Sequence, residues 1–181
     1  MSRNSIFNRL FLLICLIVAT VLNSCSYKDR TPVYRTSIER SSQQDSLFKK
    51  IEQIIGSGVT RTVLRDSFSV FILPIEAACS ACRNKAIDSI VKYAGSLPDN
   101  RMIIISGSGS RNISSFFTQR NHKAPISGEG IFIDSTNMAF VNDLVYTTPS
   151  IYHSYNRRVY EKISCVPVNI KEQLHSFFSG N

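Results

Sequence analysis

Apolar and polar positions are distributed along this chain in blocks whose spacing predicts the elements. An uncharged apolar run, Leu10 to Leu22, is followed by a polar stretch over residues 26 to about 46 that has no apolar period. Leu47, Phe48, Ile51, Ile54 and Ile55 then recur at helical spacing until Gly56 and Gly58, which predicts a short helix. Phe68-Ser69-Val70-Phe71-Ile72-Leu73 is almost continuously apolar, as a strand covered on both faces must be, and Pro74 ends it. Ala86, Ile87, Ile90, Val91 and Ala94 form a second helical stripe, closed by Gly95 and Pro98. Met102 to Ile105 reads as another buried strand, Ser106 to Ser110 as a loop, and Ile113 to Gln119 as a short helix. Ile131 to Asp134 predicts a strand, and Ile151 to Tyr155 with Val159 to Ile163 predicts a hairpin turning at Asn156-Arg157. Asn169, with Glu172 three residues on, has the spacing of a capped helix whose apolar face is Ile170, Leu174, Phe177 and Phe178.

Helices and strands alternate and a hairpin plus helix closes the chain, so the class is α/β, a central sheet flanked by helices. The organisation predicted is a leader over 1–24, a polar tether over 25–46 and one domain over 47–181. Arg3 and Arg9 precede the first apolar run, and Asn23-Ser24-Cys25 follow it, which is the layout of an export signal. The run is shorter than the ~20 residues of a relaxed membrane span. Leu22-Asn23-Ser24-Cys25 resembles the lipobox of bacterial lipoproteins, a resemblance that implies cleavage after Ser24 and a lipid on Cys25. The domain would then be held to a membrane in the cell envelope, periplasmic or at the surface. An uncleaved N-terminal anchor gives the same side of the membrane.

Charge changes this picture little. The chain carries 21 basic and 13 acidic residues, a formal +8, and loses Arg3 and Arg9 with the leader. The remaining bases, such as Arg35, Arg61, Arg111 and Arg157, are scattered rather than gathered in a stripe, which argues against a nucleic-acid partner.

Cysteine carries the candidate chemistry. With Cys15 in the leader and Cys25 lipidated, Cys79, Cys82 and Cys165 remain, too few for a disulfide framework. Cys79-Ser80-Ala81-Cys82 follows a buried strand and a short loop and opens an amphipathic helix. Unpaired N–H groups and the helix dipole favour a thiolate there. A spacing of three places both sulfurs on one helix face, with Cys79 as the attacking thiol and Cys82 as the resolving one. Three readings follow: a redox couple, part of a metal site completed by Cys165, His122, His153 or His175, or a structural disulfide. A thiolate and imidazole set would suit copper in a carrier. Glu76, three residues before Cys79, is the carboxylate nearest in sequence and a candidate proton relay to Cys82, with a solvated loop residue as the plainer reading. Cys165 reads as a small buried hydrophobe, and His153 as a hairpin residue pointing toward solvent.

The strand, the Cys-x-x-Cys helix, Ile131-Phe132-Ile133-Asp134, and Thr148-Pro149-Ser150-Ile151-Tyr152 leading into the hairpin and last helix resemble the thioredoxin-like fold. The long interval between Cys82 and Pro149 is similar, more narrowly, to membrane-tethered TlpA/ResA-type thiol-disulfide oxidoreductases. The resemblance implies a cis-proline at Pro149, preceded by Thr148, that faces the disulfide and binds substrate backbone. It further implies exported protein thiols or disulfides as substrates, a membrane or exported thiol protein as redox partner, and neither cofactor nor metal. Two departures stand out: Ala78 occupies the position where that family carries Trp, and Ser80-Ala81 replaces the usual Pro-containing pair. A non-catalytic thioredoxin-like binding module is the remaining reading.

Overall fold

A computed structural model describes residues 34–56, 64–125, 128 and 130–180. The predicted leader, Cys25 and the start of the tether lie outside these residues. In chain order the elements are β1 (Arg35–Ser37), α1 (Ser41–Ile55), β2 (Phe68–Pro74), α2 (Ser80–Tyr93), β3 (Arg101–Ser106), α3 (Ser110–Thr118), β4 (Ile131–Asp134), α4 (Met138–Val141), β5 (Ser150–Tyr155), β6 (Arg158–Ser164) and α5 (Ile170–Ser179).

The six strands form one sheet in the order β1-β6-β5-β2-β3-β4. β2, β3 and β4 are parallel, whereas β5 runs antiparallel to β2, β6 to β5 and β1 to β6. The sheet is therefore mixed, and β2 stands at the switch between its parallel and antiparallel halves. This is the α/β class predicted, in the thioredoxin-like order of a β-α-β-α half followed by a β-β-α half, with one further strand at each edge.

Both sheet faces are covered, which explains why β2 and β3 read as continuous apolar runs. On one face Phe71, Leu73, Ile103 and Ile105 pack with Ala86, Ile87 and Ile90 of α2, Ile113 and Phe117 of α3, and Leu174 and Phe177 of α5. On the other, Val70, Ile72, Met102, Ile104 and Tyr152 pack with Phe48, Ile51 and Ile55 of α1 and Ala139 of α4. Alternate residues of one strand thus serve opposite cores, as the period of two dictates. Each large apolar side chain buried this way stabilises the fold by about 1.5–3 kcal/mol before entropy is counted.

The hairpin turns where predicted. Asn156 and Arg157 have φ of 49° and 59°, the two left-handed central residues of a primed two-residue turn, whose twist matches the strands it joins.

Two expectations need correction. The tether does not extend to residue 46, because Arg35–Ser37 pair with Glu161–Ile163 of β6 and α1 begins at Ser41. All three β1 residues are exposed, so no apolar alternation marks the strand, and only the buried Ile38 after it enters the core. The first turn of α1 is polar and its N-cap, Arg40, makes no side-chain cap, so it too lacks a start signal. Asn169 does occupy the N-cap position of α5, but its side chain works on the preceding loop: Oδ1 accepts from the Val166 N–H at 2.8 Å and Nδ2 donates to the Ser164 carbonyl at 3.0 Å.

Candidate functional site

The loop from Ile75 to Ala78 carries the chain from the end of β2 to the start of α2, and Cys79 is the N-cap of that helix. Ile75 and Ala77 are buried and hold the loop to the sheet, while Ala78, Ser80 and Ala81 are exposed. Neighbouring strands end alongside: Pro74 pairs with Ser106 of β3, and Ser106 with Asp134 of β4. Gly107, just after β3, passes so close to Ile75 that any Cβ there would overlap its side chain.

Cys79 and Cys82 are joined in a disulfide, with their Cα atoms 5.3 Å apart. The Cys79 sulfur also accepts from the Cys82 N–H at 3.2 Å, one of the amides that a helix start leaves unpaired. The two sulfurs differ in access: Cys82 is fully buried and packs with Ala86 and Ile87, whereas Cys79 is half-buried at the rim of the same cluster. A partner sulfur coming from solvent therefore meets Cys79 first.

A second loop reaches the disulfide from the far side of the sheet. The Cys79 N–H donates to the Thr147 carbonyl at 3.4 Å. Thr148 is half-buried and Pro149 buried, and the Pro149 carbonyl accepts from the Cys165 N–H at 2.8 Å. β5 starts directly afterwards, with Ser150 paired to Ile72 on one side and Ser164 on the other. The predicted cysteine pair and the predicted Thr148-Pro149 segment are thus adjacent at one end of the sheet. Among the described residues no peptide bond is cis, so the Thr148–Pro149 bond is trans, contrary to what the resemblance implied. Trans is the isomer an X-Pro bond favours unless its surroundings select otherwise.

Glu76 is exposed, and its carboxylate faces the β3 and β4 loops: Oε1 accepts from the Ser108 N–H at 3.4 Å and Oε2 from the Asn137 side chain at 3.5 Å. It belongs to a polar network centred on Asp134. That buried carboxylate accepts from the Ser106 hydroxyl at 2.7 Å, the Thr136 hydroxyl at 3.1 Å, and the N–H groups of Met138 at 2.9 Å and Ala139 at 2.8 Å. Asp134 thereby caps α4, the first piece of the connection that returns to Thr147.

Cys165 is buried and reduced, and burial pushes its thiol up to about 12, so it stays protonated at physiological pH. His153 does not point to solvent. Its Nδ1 lies 2.7 Å from the Ser69 hydroxyl, its ring stacks on Tyr160, and Nε2 stands 3.8 Å from Glu161. His122 faces Asp88 at 3.7 Å, and His175 lies in the groove between α2 and α5. Among the described residues no three His, Cys, Asp or Glu side chains are gathered as ligands would be.

Sequence reasoning missed Arg83, the residue after Cys82. Its Nη1 donates to the Ile75 carbonyl at 3.2 Å and the Ala77 carbonyl at 3.0 Å, and the guanidinium lies 5.3 Å from the centre of the Phe116 ring. Desolvation, and then the charge of Arg120, hold its pKa below the ordinary arginine value. The only signal in the sequence was a basic residue next to the second cysteine. Thr147 was missed as well, because its contact is made by a carbonyl.

No family model matches this sequence, and no curated protein does. Solved structures to which this chain is similar include a protein described as thiol:disulfide interchange protein DsbE from Chlorobium tepidum, at 12% identity and a TM-score of 0.37, covering 63% of this chain and 80% of that one. A thiol-disulfide isomerase from Corynebacterium glutamicum matches at 14% identity and a TM-score of 0.39, covering 70% and 90%. A DsbF homologue from Corynebacterium diphtheriae matches at 15% and 0.35, covering 62% and 71%.

Proposed function

We propose that this chain is a thiol-disulfide oxidoreductase of the cell envelope, held to a membrane by lipid on Cys25 and exchanging electrons with exported protein thiols or disulfides. One observation carries the reading: a disulfide at a helix start whose outer sulfur, Cys79, is half-exposed and whose inner sulfur, Cys82, is fully buried.

Chemistry follows from that asymmetry. In the reduced protein the Cys79 thiolate, favoured by the helix dipole and the Cys82 N–H, attacks one sulfur of a substrate disulfide, breaks the substrate S–S bond, expels the other substrate sulfur as a thiolate and forms a mixed disulfide. The Cys82 thiol then loses its proton and displaces the substrate sulfur, which leaves as a thiol and restores the Cys79–Cys82 bond. Run in reverse, the same steps oxidise a substrate dithiol. Thr148 and Pro149 flank the entry point, where a substrate segment would lie beside Cys79, and Glu76 is a candidate acceptor for the Cys82 proton. The lipid anchor is supported by Leu22-Asn23-Ser24-Cys25, and no helix among the described residues is long and apolar enough to cross a membrane. A redox buffer series of reduced and oxidised glutathione, followed by acid quench and mass mapping of alkylated cysteines, tests the reading. Cys79 and Cys82 should open and close together in one two-electron transition; a pair that stays closed or stays open across the whole series excludes it.

A further inference from the structure

Arg83 follows Cys82 by one residue and Cys79 by four, which places it one helical turn above Cys79. Its N–H donates to the Cys79 carbonyl at 3.0 Å, making an early bond of α2. Its side chain turns back to the loop that delivers Cys79, binding the Ile75 and Ala77 carbonyls with one nitrogen. The guanidinium shares the Phe116 ring with Arg120, which lies 4.3 Å from the ring centre and is itself tied to Asn84 and the Phe116 carbonyl. Nε of Arg83 is buried and has no hydrogen-bond partner among the described residues. No described carboxylate pairs with Arg83, since the ion pairs of the domain lie elsewhere.

A guanidinium stays charged even when desolvated. Fixed beside the first turn of a helix, such a charge acts in the same sense as the dipole and lowers the free energy of an anion formed there. The disulfide is neutral and gains nothing from it, so the effect falls on the reduced state alone.

We propose that Arg83 is a positioning residue of the Cys79–Cys82 couple, clamping the β2–α2 loop and favouring the reduced form with Cys79 as thiolate. The inference rests on the redox reading above. With glutathione as reductant, two glutathione thiols supply two electrons: the Cys79–Cys82 bond breaks and a glutathione disulfide forms. Cys79 leaves as the thiolate, Cys82 takes one proton, and the other goes to solvent.

The full chain in detergent is equilibrated with glutathione buffers as the parent and as Arg83→Met, Arg83→Lys and Arg83→Gln. Arg83→Met should shift the equilibrium at least about fivefold toward the disulfide. It should also move the pH midpoint of Cys79 alkylation upward. Arg83→Lys, which keeps the charge, should recover most of the shift, and Arg83→Gln, which keeps a donor without charge, should not. Near-UV circular dichroism establishes that each variant is folded, and if Arg83→Met is not, the Lys and Gln variants decide between them. A folded Arg83→Met within about twofold of the parent overturns the proposal, as do equal shifts in the Lys and Gln variants. A parent disulfide that never exchanges with glutathione overturns the redox reading itself and this inference with it.

Discussion

The N–H of Cys79 donates to the carbonyl of Thr147 at 3.4 Å, so the residue that starts the disulfide helix is fastened to the segment that precedes Pro149. Two loops from opposite halves of the mixed sheet meet there. The disulfide consequently lies beside this second loop rather than on an isolated helix tip, and of its two cysteines only Cys79 is accessible to solvent.

That difference in access predicts unequal thiols. After reduction under native conditions, iodoacetamide should modify Cys79 at least about tenfold faster than Cys82 or Cys165 at neutral pH, because thiolate character and exposure both set the rate. Burial keeps the Cys165 thiol protonated. Time-resolved peptide mass mapping measures the three rates, and equal rates for Cys79 and Cys82 would refute the assignment of attacking and resolving roles.

Stability should fall in mild acid through His153. Arg101 can only donate, so the Ser69 hydroxyl accepts from it at 3.2 Å and gives its own hydrogen to His153 Nδ1, leaving the neutral ring protonated at Nε2 toward Glu161. Desolvation lowers the His153 pKa, the charges of Arg101 and Arg35 add to this, and Glu161 opposes them. A histidine whose folded pKa is depressed binds fewer protons folded than unfolded. Its contribution is therefore complete above about pH 6.5 and is lost as pH falls from there toward the folded pKa. The drop in Tm from pH 7 to pH 5 should be smaller in His153→Gln than in the parent; an equal drop would show that this ring is not responsible.

Asp134 gathers four donors in a buried position, including both N–H groups at the start of α4. Replacing it with alanine leaves those donors without their acceptor, at a cost of about 2–4 kcal/mol in chemical denaturation. A loss under about 1 kcal/mol would mean that solvent replaces the carboxylate and that α4 is not anchored by it.

Much of the architecture could be read from spacing. β2 and β3 announced themselves because burial on both faces demands unbroken apolar runs, and α2 and α5 because their stripes recur at helical period. The Cys79–Cys82 pair could be placed at a helix start for the same reason. Other features left no such trace. β1 is exposed at all three residues, and α4 is four residues long and capped by a carboxylate delivered from β4. Asn169 carried the spacing of a helix cap, yet its side chain found better partners in the Ser164–Val166 loop. Arg83 and Thr147 act through backbone carbonyls, which no residue pattern encodes. His153 was misread because its partner, Ser69, comes from a different strand, and only strand register reveals that pairing.

Trapping in the cell envelope tests the central claim most directly. With Cys82→Ser in place of the parent, mixed disulfides to exported proteins should accumulate on Cys79 and disappear on adding dithiothreitol, whereas Cys79→Ser should trap none. Covalent partners on Cys82 in the Cys79→Ser chain, or none in either variant, would contradict the account.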